Sequence, residues 1–316
     1  MRRIEGLDAV LDLSRDAQDN ADTPQDSVVA VGVFDGVHLG HQRLLHELLE
    51  LGSALRAVPS VITFRNHPDQ ILRGSSPPLL VSVPHRLRLL RRAGVQRLAL
   101  LDFEPRLQQM TAREFAERVL VGALHTKGLL LGYDSALGKD REGTPERFRE
   151  LGAELGFQVR TGEPFLVDGT TVSSTKVRDV ITRGDLLMAQ RFLGRLPSTF
   201  GEVVHGEARG RALGFPTANI VPQTPVLPPN GVYVVQVILD SGVLKGVANL
   251  GTRPTFAGTG TVLEVHLLDF QGDLYGRELE IAFLARLRGE QKFSNLDALK
   301  TQITHDIAAA RLRLRS

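Results

Sequence analysis

Val31-Gly-Val-Phe-Asp-Gly-Val-His-Leu-Gly-His41 is the stretch that decides how this chain folds. It follows the apolar run Val28-Val29-Ala30-Val31 and precedes residues 42–50, where Leu44, Leu45, Leu48 and Leu49 recur at a helical period. The pattern predicts a tight turn from a buried strand into a helix, the place where open α/β sheets hold ligands. Gly32, Gly36 and Gly40 allow close backbone approach, and the helix start offers free amides and a positive dipole end to an anion. His38 and His41 then stand where two imidazoles can donate to one phosphate group. Spacing alone leaves two readings level. One is a nucleotide-phosphate cradle; the other is an ordinary glycine-rich connection with capping or solvated histidines, because neither a Walker loop nor the dinucleotide fingerprint is present.

The 316 residues accommodate two domains, and apolar and charged fractions of 42% and 23% suffice for a sizeable core. A net charge of +2 suits small anions but is too slight for a nucleic-acid binder. Cys is absent, which excludes disulfides, a thiolate nucleophile and Cys-based metal sites, and fits a reducing compartment. Residues 1–8 lack the apolar core of a signal peptide, and no uninterrupted apolar run approaches the roughly 18 residues of a membrane span. The expectation is a cytoplasmic protein acting on small molecules, with no nucleic-acid or membrane partner; homo-oligomer formation stays open.

Along the chain, the polar residues 16–24 read as a surface loop before the first central strand. Residues 60–64 read as a second buried strand ending in Arg65-Asn-His-Pro68, where Pro68 favours an extended His67 aimed into the cleft, or a plain surface turn. Residues 84–94 form an amphipathic helix whose arginines are its solvated face, and 97–101 a strand. Thr111-Ala-Arg-Glu114 is a capping box opening a helix through Leu120, and 128–132 is a further strand. This alternation predicts a mostly parallel, doubly wound sheet. Loop 132–143 brings Lys139 and Arg141 to the same edge, for phosphate or for solvent. Ser173, Ser174 and Thr175 signal a helix start carrying Lys176 and Arg178, either facing a nucleotide or serving as a plain cap.

Two short helices, 176–182 and 185–193, lead into short apolar runs at 200–205, 231–239, 244–249, 261–269 and 278–283. These predict a small antiparallel barrel with a final helix, 295–313, on its outside. The expected domains are 1–185 and 186–316. In the second, Gly206, Gly210 and Gly214 permit a phosphate-hugging backbone, Arg209 and Arg211 carry charge, and Thr217 and Asn219 offer neutral oxygens to a hard cation. A glycine-rich hairpin with incidental arginines accounts for the same string. Glu264 and His266 fall on one face of a strand, which is either a reactive face or the wet side of a barrel.

The motifs together resemble one family. GVFDGVHLGH resembles the HxGH signature of nucleotidylyltransferases, in the GxFDGxHxGH form of bacterial bifunctional riboflavin kinase/FMN adenylyltransferases. TFRNHP resembles that family's TFxxHP, and SSTKVR its SSTxIR, with Lys176 in place of the usual Arg and Val177 of Ile. Loop 132–143 resembles GxDFxFGxxRxG, except that Asp134-Ser-Ala-Leu-Gly138 lacks the aromatic residues that help form the flavin side of the adenylylation site. GRALGFPTAN and LEVHLLDF, residues 263–270, resemble the riboflavin kinase signature and its ExHxxDF motif. Residues 249–255, 275–277 and 283–293 also resemble kinase-module segments.

The resemblance implies a Rossmann-like doubly wound nucleotidylyltransferase domain followed by a small antiparallel β-barrel domain with a C-terminal helix. It implies ATP contacts at Gly32, Phe34, Asp35, Gly40, Ser174, Thr175 and Arg178 in the first module, and at Gly206, Gly210, Arg211, Gly214, Thr217 and Asn219 in the second. His38, His41 and Glu264 would be catalytic, Asn66, His67 and Arg288 flavin-binding, and Thr217 and Asn219 ligands of Mg2+. The implied reactions are riboflavin to FMN and FMN to FAD, both with ATP. A primary alcohol needs a base and a metal to attack the γ-phosphorus, which gives Glu264 its role. The FMN phosphate is already an anion, so the second reaction needs positioning and charge neutralisation. Two rivals remain at this point: a riboflavin kinase with an impaired or redox-conditional first module, resting on Ser135 to Leu137, and a non-catalytic flavin- or nucleotide-binding regulator.

Overall fold

The structure, a computed structural model, describes residues 1–19, 25–206, 210, 213–239, 241–255 and 258–314. Contacts divide the chain into two compact units, residues 1–77 with 86–173 and residues 78–85 with 174–316.

In the first unit, Val28 to Val31 is apolar at every position because its strand is covered on both faces: all five residues of Ser27–Val31 are buried. This is β2 of a six-stranded sheet with β1 (Arg2–Glu5), β3 (Val58–Phe64), β4 (Arg97–Leu101), β5 (Thr126–Leu131) and β6 (Gln158–Thr161). Every pairing is parallel, in the order β1-β4-β3-β2-β5-β6. The chain runs from β2 outward through β3 to β4, then crosses back to β5, so the order reverses beside β2. Its carboxyl end therefore opens at a topological switch point. Helices Leu39–Leu55, Val83–Arg92 and Pro145–Leu155 supply crossovers. Val29, Val31, Ile62, Leu101, Leu129 and Leu131 of the sheet share a core with Phe115, Val119 and Phe148.

The capping box forms as expected: Glu114 N–H donates to Thr111 Oγ1 at 3.1 Å, and Thr111 N–H to Glu114 Oε2 at 2.8 Å. Past it the helix widens, with Leu124 N–H donating to Val119 five residues back.

Two features depart from expectation. Residues 7–19 form a helix rather than leading into a loop at 16, because Leu7 and Val10 lie on one buried face; residues 20–24 lie outside the described residues. The edge strands β1 and β6 were not foreseen, since edges are short and half exposed and carry no apolar run.

In the second unit, β9 (Ser198–Val204), β10 (Ala218–Pro222), β11 (Gly231–Leu239), β12 (Gly242–Thr255), β13 (Gly258–Leu267) and β14 (Glu278–Arg288) close into an antiparallel barrel; the short hairpin of β7 (Leu166–Val167) and β8 (Thr170–Thr171) precedes them in the chain. Alternate residues point inward, so Tyr233, Val235 and Val237 pack with Val203, Leu263, Val265 and Phe283. On the outer face, Val232, Val234 and Val247 meet Ala310 of helix Leu296–Arg313, whose start is capped by Asn295. Contacts group helix Ser174–Arg183 with the barrel, and that helix packs on Leu186–Leu193. No helix among the described residues is long and apolar enough to cross a membrane.

The barrel also holds a buried polar cluster. His85 Nε2 donates to Glu280 Oε1 at 3.1 Å, Ser198 Oγ donates to the same oxygen at 2.9 Å, and Phe200 stacks on the imidazole. Both members of the pair are at most 2% exposed, so removing the carboxylate takes an acceptor from buried His85 and half-buried Ser198. Glu280→Ala is expected to destabilise the barrel by about 3 kcal/mol in urea unfolding followed by circular dichroism. A loss below about 1 kcal/mol would show the cluster to be energetically idle.

Candidate active sites

The turn after β2 is held from beneath. Arg86, 1% exposed, donates from Nη1 to Val33 O at 2.9 Å and from Nη2 to Phe64 O, tying the ends of β2 and β3 together. Burial pulls its pKa down to about 10, against the favourable charge of Asp35. Thr63 Oγ1 adds a bond to Val33 O at 3.1 Å. Between these anchors Phe34 and Val37 take φ of 53° and 41°. A β-branched residue rarely adopts that region, and each such residue costs of order 1–3 kcal/mol. Strain of this kind persists where a turn is over-determined by its surroundings.

Helix Leu39–Leu55 starts from this turn, with His38 as its cap: His41 N–H donates to His38 Nδ1 at 3.4 Å. With Nδ1 accepting, the ring carries a proton on Nε2, the nitrogen that takes no part in the cap. The two imidazoles stack with centroids 3.7 Å apart. Gly40 makes room for this, since a Cβ there would stand 3.2 Å from the His38 ring. Asp35 and His38 are buried at 3% and 6% exposure. The result is a compact donor group at a helix N-terminus, suited to an anion.

Beside it lies a cavity of about 720 Å³, walled by Gly32, Phe64, His67, Phe103, Met110 and residues 134–141. His67 caps the short helix Pro68–Leu72 by accepting from Asp69 N–H at 3.1 Å. Lys139 and Arg141 line the cavity, as do Ser135, Ala136 and Leu137, where the aromatic residues of the motif are missing. Asn66 is held elsewhere: both ends of its amide bond the Phe103 backbone, at 2.8 and 2.9 Å. Ser174, Thr175 and Arg178 belong to the other unit, with Arg178 Nε donating to Pro78 O at 2.7 Å.

In the barrel, pairing aligns a polar row. Asn219 on β10 stands directly opposite Glu264 on β13, which stands opposite Asn249 on β12. Opposed residues share a face, so the three side chains project together. Gly206 is required by the same row: a Cβ there would come within 2.1 Å of Asn219 Nδ2. A cavity of about 360 Å³ is lined by Thr217, Glu264, Asn249 and Arg288 with Val232, Val247, Phe293 and Ile303. A second, of about 290 Å³, is lined by Thr217, Val203, Phe270, Leu274 and Tyr275. The two therefore meet at Thr217.

His266 Nδ1 donates to Pro216 O at 2.8 Å, fixing the segment that carries Thr217. Arg288 is gripped by Asp306, with Nε and Nη2 at 2.8–3.1 Å from its carboxylate, and Gln302 supports Asp306 at 3.0 Å. Gly210 lines the larger cavity and Gly214 turns at φ 88°, while Arg209 and Arg211 lie outside the described residues. Phe270 and Tyr275, on whose ring His205 stacks at 3.9 Å, stood in the sequence only as parts of motif segments, without a role. Asp306 has no local mark at all, and only the docking of its helix brings it in.

A riboflavin kinase family model matches residues 193–314, and an FAD synthetase model matches residues 20–176. A bifunctional riboflavin kinase/FMN adenylyltransferase of Pseudomonas fluorescens is 41% identical over 285 residues, covering 90% of this chain and 92% of that protein. The protein of the same name from Escherichia coli K12 is 39% identical over 302 residues, covering 95% and 96%. A Streptococcus pneumoniae crystal structure named a macrolide-efflux protein aligns with a TM-score of 0.81 at 34% identity, covering 93% of this chain and 96% of that one.

Asn219 and Gly206 carry a direct test of the packing in the barrel site. Gly206→Ala must push the Asn219 side chain out of the polar row, so it is expected to weaken binding of Mg-ATP about tenfold with the fold intact. Unchanged nucleotide binding, read by calorimetry, would place Asn219 outside the site.

Proposed function

We propose that this chain, which belongs to the bifunctional riboflavin kinase/FMN adenylyltransferase family, phosphorylates riboflavin in the barrel and adenylylates FMN at the sheet edge. The observation that carries the kinase half is the meeting of two cavities at Thr217, beside the row formed by Asn219 and Glu264. The larger, mainly apolar cavity takes the flavin ring, with Arg288 near it; the smaller takes the nucleotide. The reacting groups meet between them. Glu264 accepts the proton of the ribityl hydroxyl as its oxygen attacks the γ-phosphorus of ATP, and ADP leaves.

Mg2+ fits this arrangement. No group of three or more His, Asp or Glu gathers as a metal site among the described residues, and Mg2+ needs none: it takes one or two protein oxygens and completes its shell with phosphates and water. Thr217 and Asn219 supply such oxygens, and the ion would neutralise charge on the transferred group.

At the sheet edge no base is needed. An oxygen of the FMN phosphate attacks the α-phosphorus of ATP and pyrophosphate leaves. His38 and His41, with the helix-start amides and the neighbouring Gly32, Phe34, Asp35 and Gly40, hold the phosphates there. His67 lines the adjoining cavity on the flavin side. Ser174, Thr175 and Arg178 are assigned to ATP through their motif, which sets the functional boundary at 185/186. Matches to both family models support two activities over a kinase alone. A cytoplasmic location, where the enzyme would meet its small-molecule substrates, is part of the same proposal.

Glu264→Gln separates the two halves. It is expected to lower kcat for FMN formation by about 10²–10⁴-fold while FAD formation from supplied FMN stays near wild type. An equal loss in both reactions would contradict separate sites, and an unchanged kinase would remove Glu264 from the base role.

A further inference from the structure

We propose that Phe103, locked in place by Asn66, is the surface on which the flavin ring of FMN stacks during adenylylation; this rests on the adenylylation assigned to the first unit. Phe103 lies just beyond β4, in a loop that no strand pairing holds. Asn66, just beyond β3, holds it instead. Its Nδ2 donates to Phe103 O at 2.9 Å, and Phe103 N–H donates to its Oδ1 at 2.8 Å. The amide thus reproduces a strand-type pair of bonds across two loops, and its donor and acceptor are both committed to the backbone. Asn66 is therefore a positioning residue for Phe103.

The ring so placed lines the cavity of about 720 Å³ and meets Phe64 edge-on, at 5.8 Å and 86°. Edge-on packing leaves a neighbouring face open to a third ring. Phe64 and Phe115, the other phenylalanines in the cavity wall, are 7% and 5% exposed and have little face to offer, whereas Phe103 is only partly buried. The loop across the cavity contributes Ser135, Ala136 and Leu137, none of which stacks. A planar flavin entering this space finds its aromatic partner on Phe103.

The test uses the full-length protein. Phe103→Leu keeps an apolar side chain and removes the π face; Phe103→Tyr keeps the ring; Asn66→Ala removes the latch. KM for FMN and for ATP is measured separately in FAD formation, with FMN formation from riboflavin and the melting curve as controls of folding. Phe103→Leu is expected to raise KM for FMN about tenfold with KM for ATP within about twofold, Phe103→Tyr to recover most of the loss, and Asn66→Ala to show the same split more weakly. An unchanged KM for FMN would overturn the proposal, as would a rise confined to ATP, which would put adenine on the ring. Titration of the flavin absorbance with FMN alone keeps the two levels apart. Wild type is expected to show two binding components and Phe103→Leu to lose one. If wild type makes no FAD, the adenylylation assignment fails, while loss of that component still decides whether Phe103 holds flavin.

Discussion

One buried guanidinium sets the geometry of the first site. Arg86 joins the carbonyls of Val33 and Phe64, which are the last turns of two adjacent parallel strands before the chain leaves the sheet. Its pKa, near 10 despite burial, keeps it charged at neutral pH. Without that tie, the positive φ at Phe34 and Val37 would relax, and the helix carrying His41 would start from a different place. The strained turn, the capped helix and the His67 turn all depend on the same anchor.

The barrel solves its positioning problem differently. Strand register does the work: Asn219, Glu264 and Asn249 form a row because β10, β13 and β12 pair residue by residue. Precision comes from the ladder, with added clamps on Arg288 from Asp306 and on the Thr217 segment from His266. On the proposed reading, proton removal and phosphoryl transfer would sit on rigid strands and anion holding at a helix start. Each chemistry uses the element whose backbone suits it.

Much of this was legible in the sequence where the signal is local. Val28 to Val31, residues 97–101 and 231–239 are apolar runs bounded by turns, and Thr111-Ala-Arg-Glu114 is a cap readable in four letters. What stayed hidden depends on distant partners. The strand β10 begins in the last two residues of a glycine-rich motif, and β1 and β6 are polar edges. Arg86 reads as one more arginine of a solvated face, since nothing in residues 84–94 distinguishes it from its exposed neighbours Arg91 and Arg92. The motif groups Asn66 with the flavin ligands, and only the fold shows that its amide bonds the Phe103 backbone.

The central claim is that one chain carries both reactions in succession. The most direct measurement is chromatography of the flavins formed by purified protein from riboflavin, ATP and Mg2+, repeated with FMN and ATP under oxidised and reduced conditions. FMN appearing first and FAD after it, with pyrophosphate released in step with FAD, is the predicted result. Formation of neither product, or of FMN alone under both redox conditions, would contradict it.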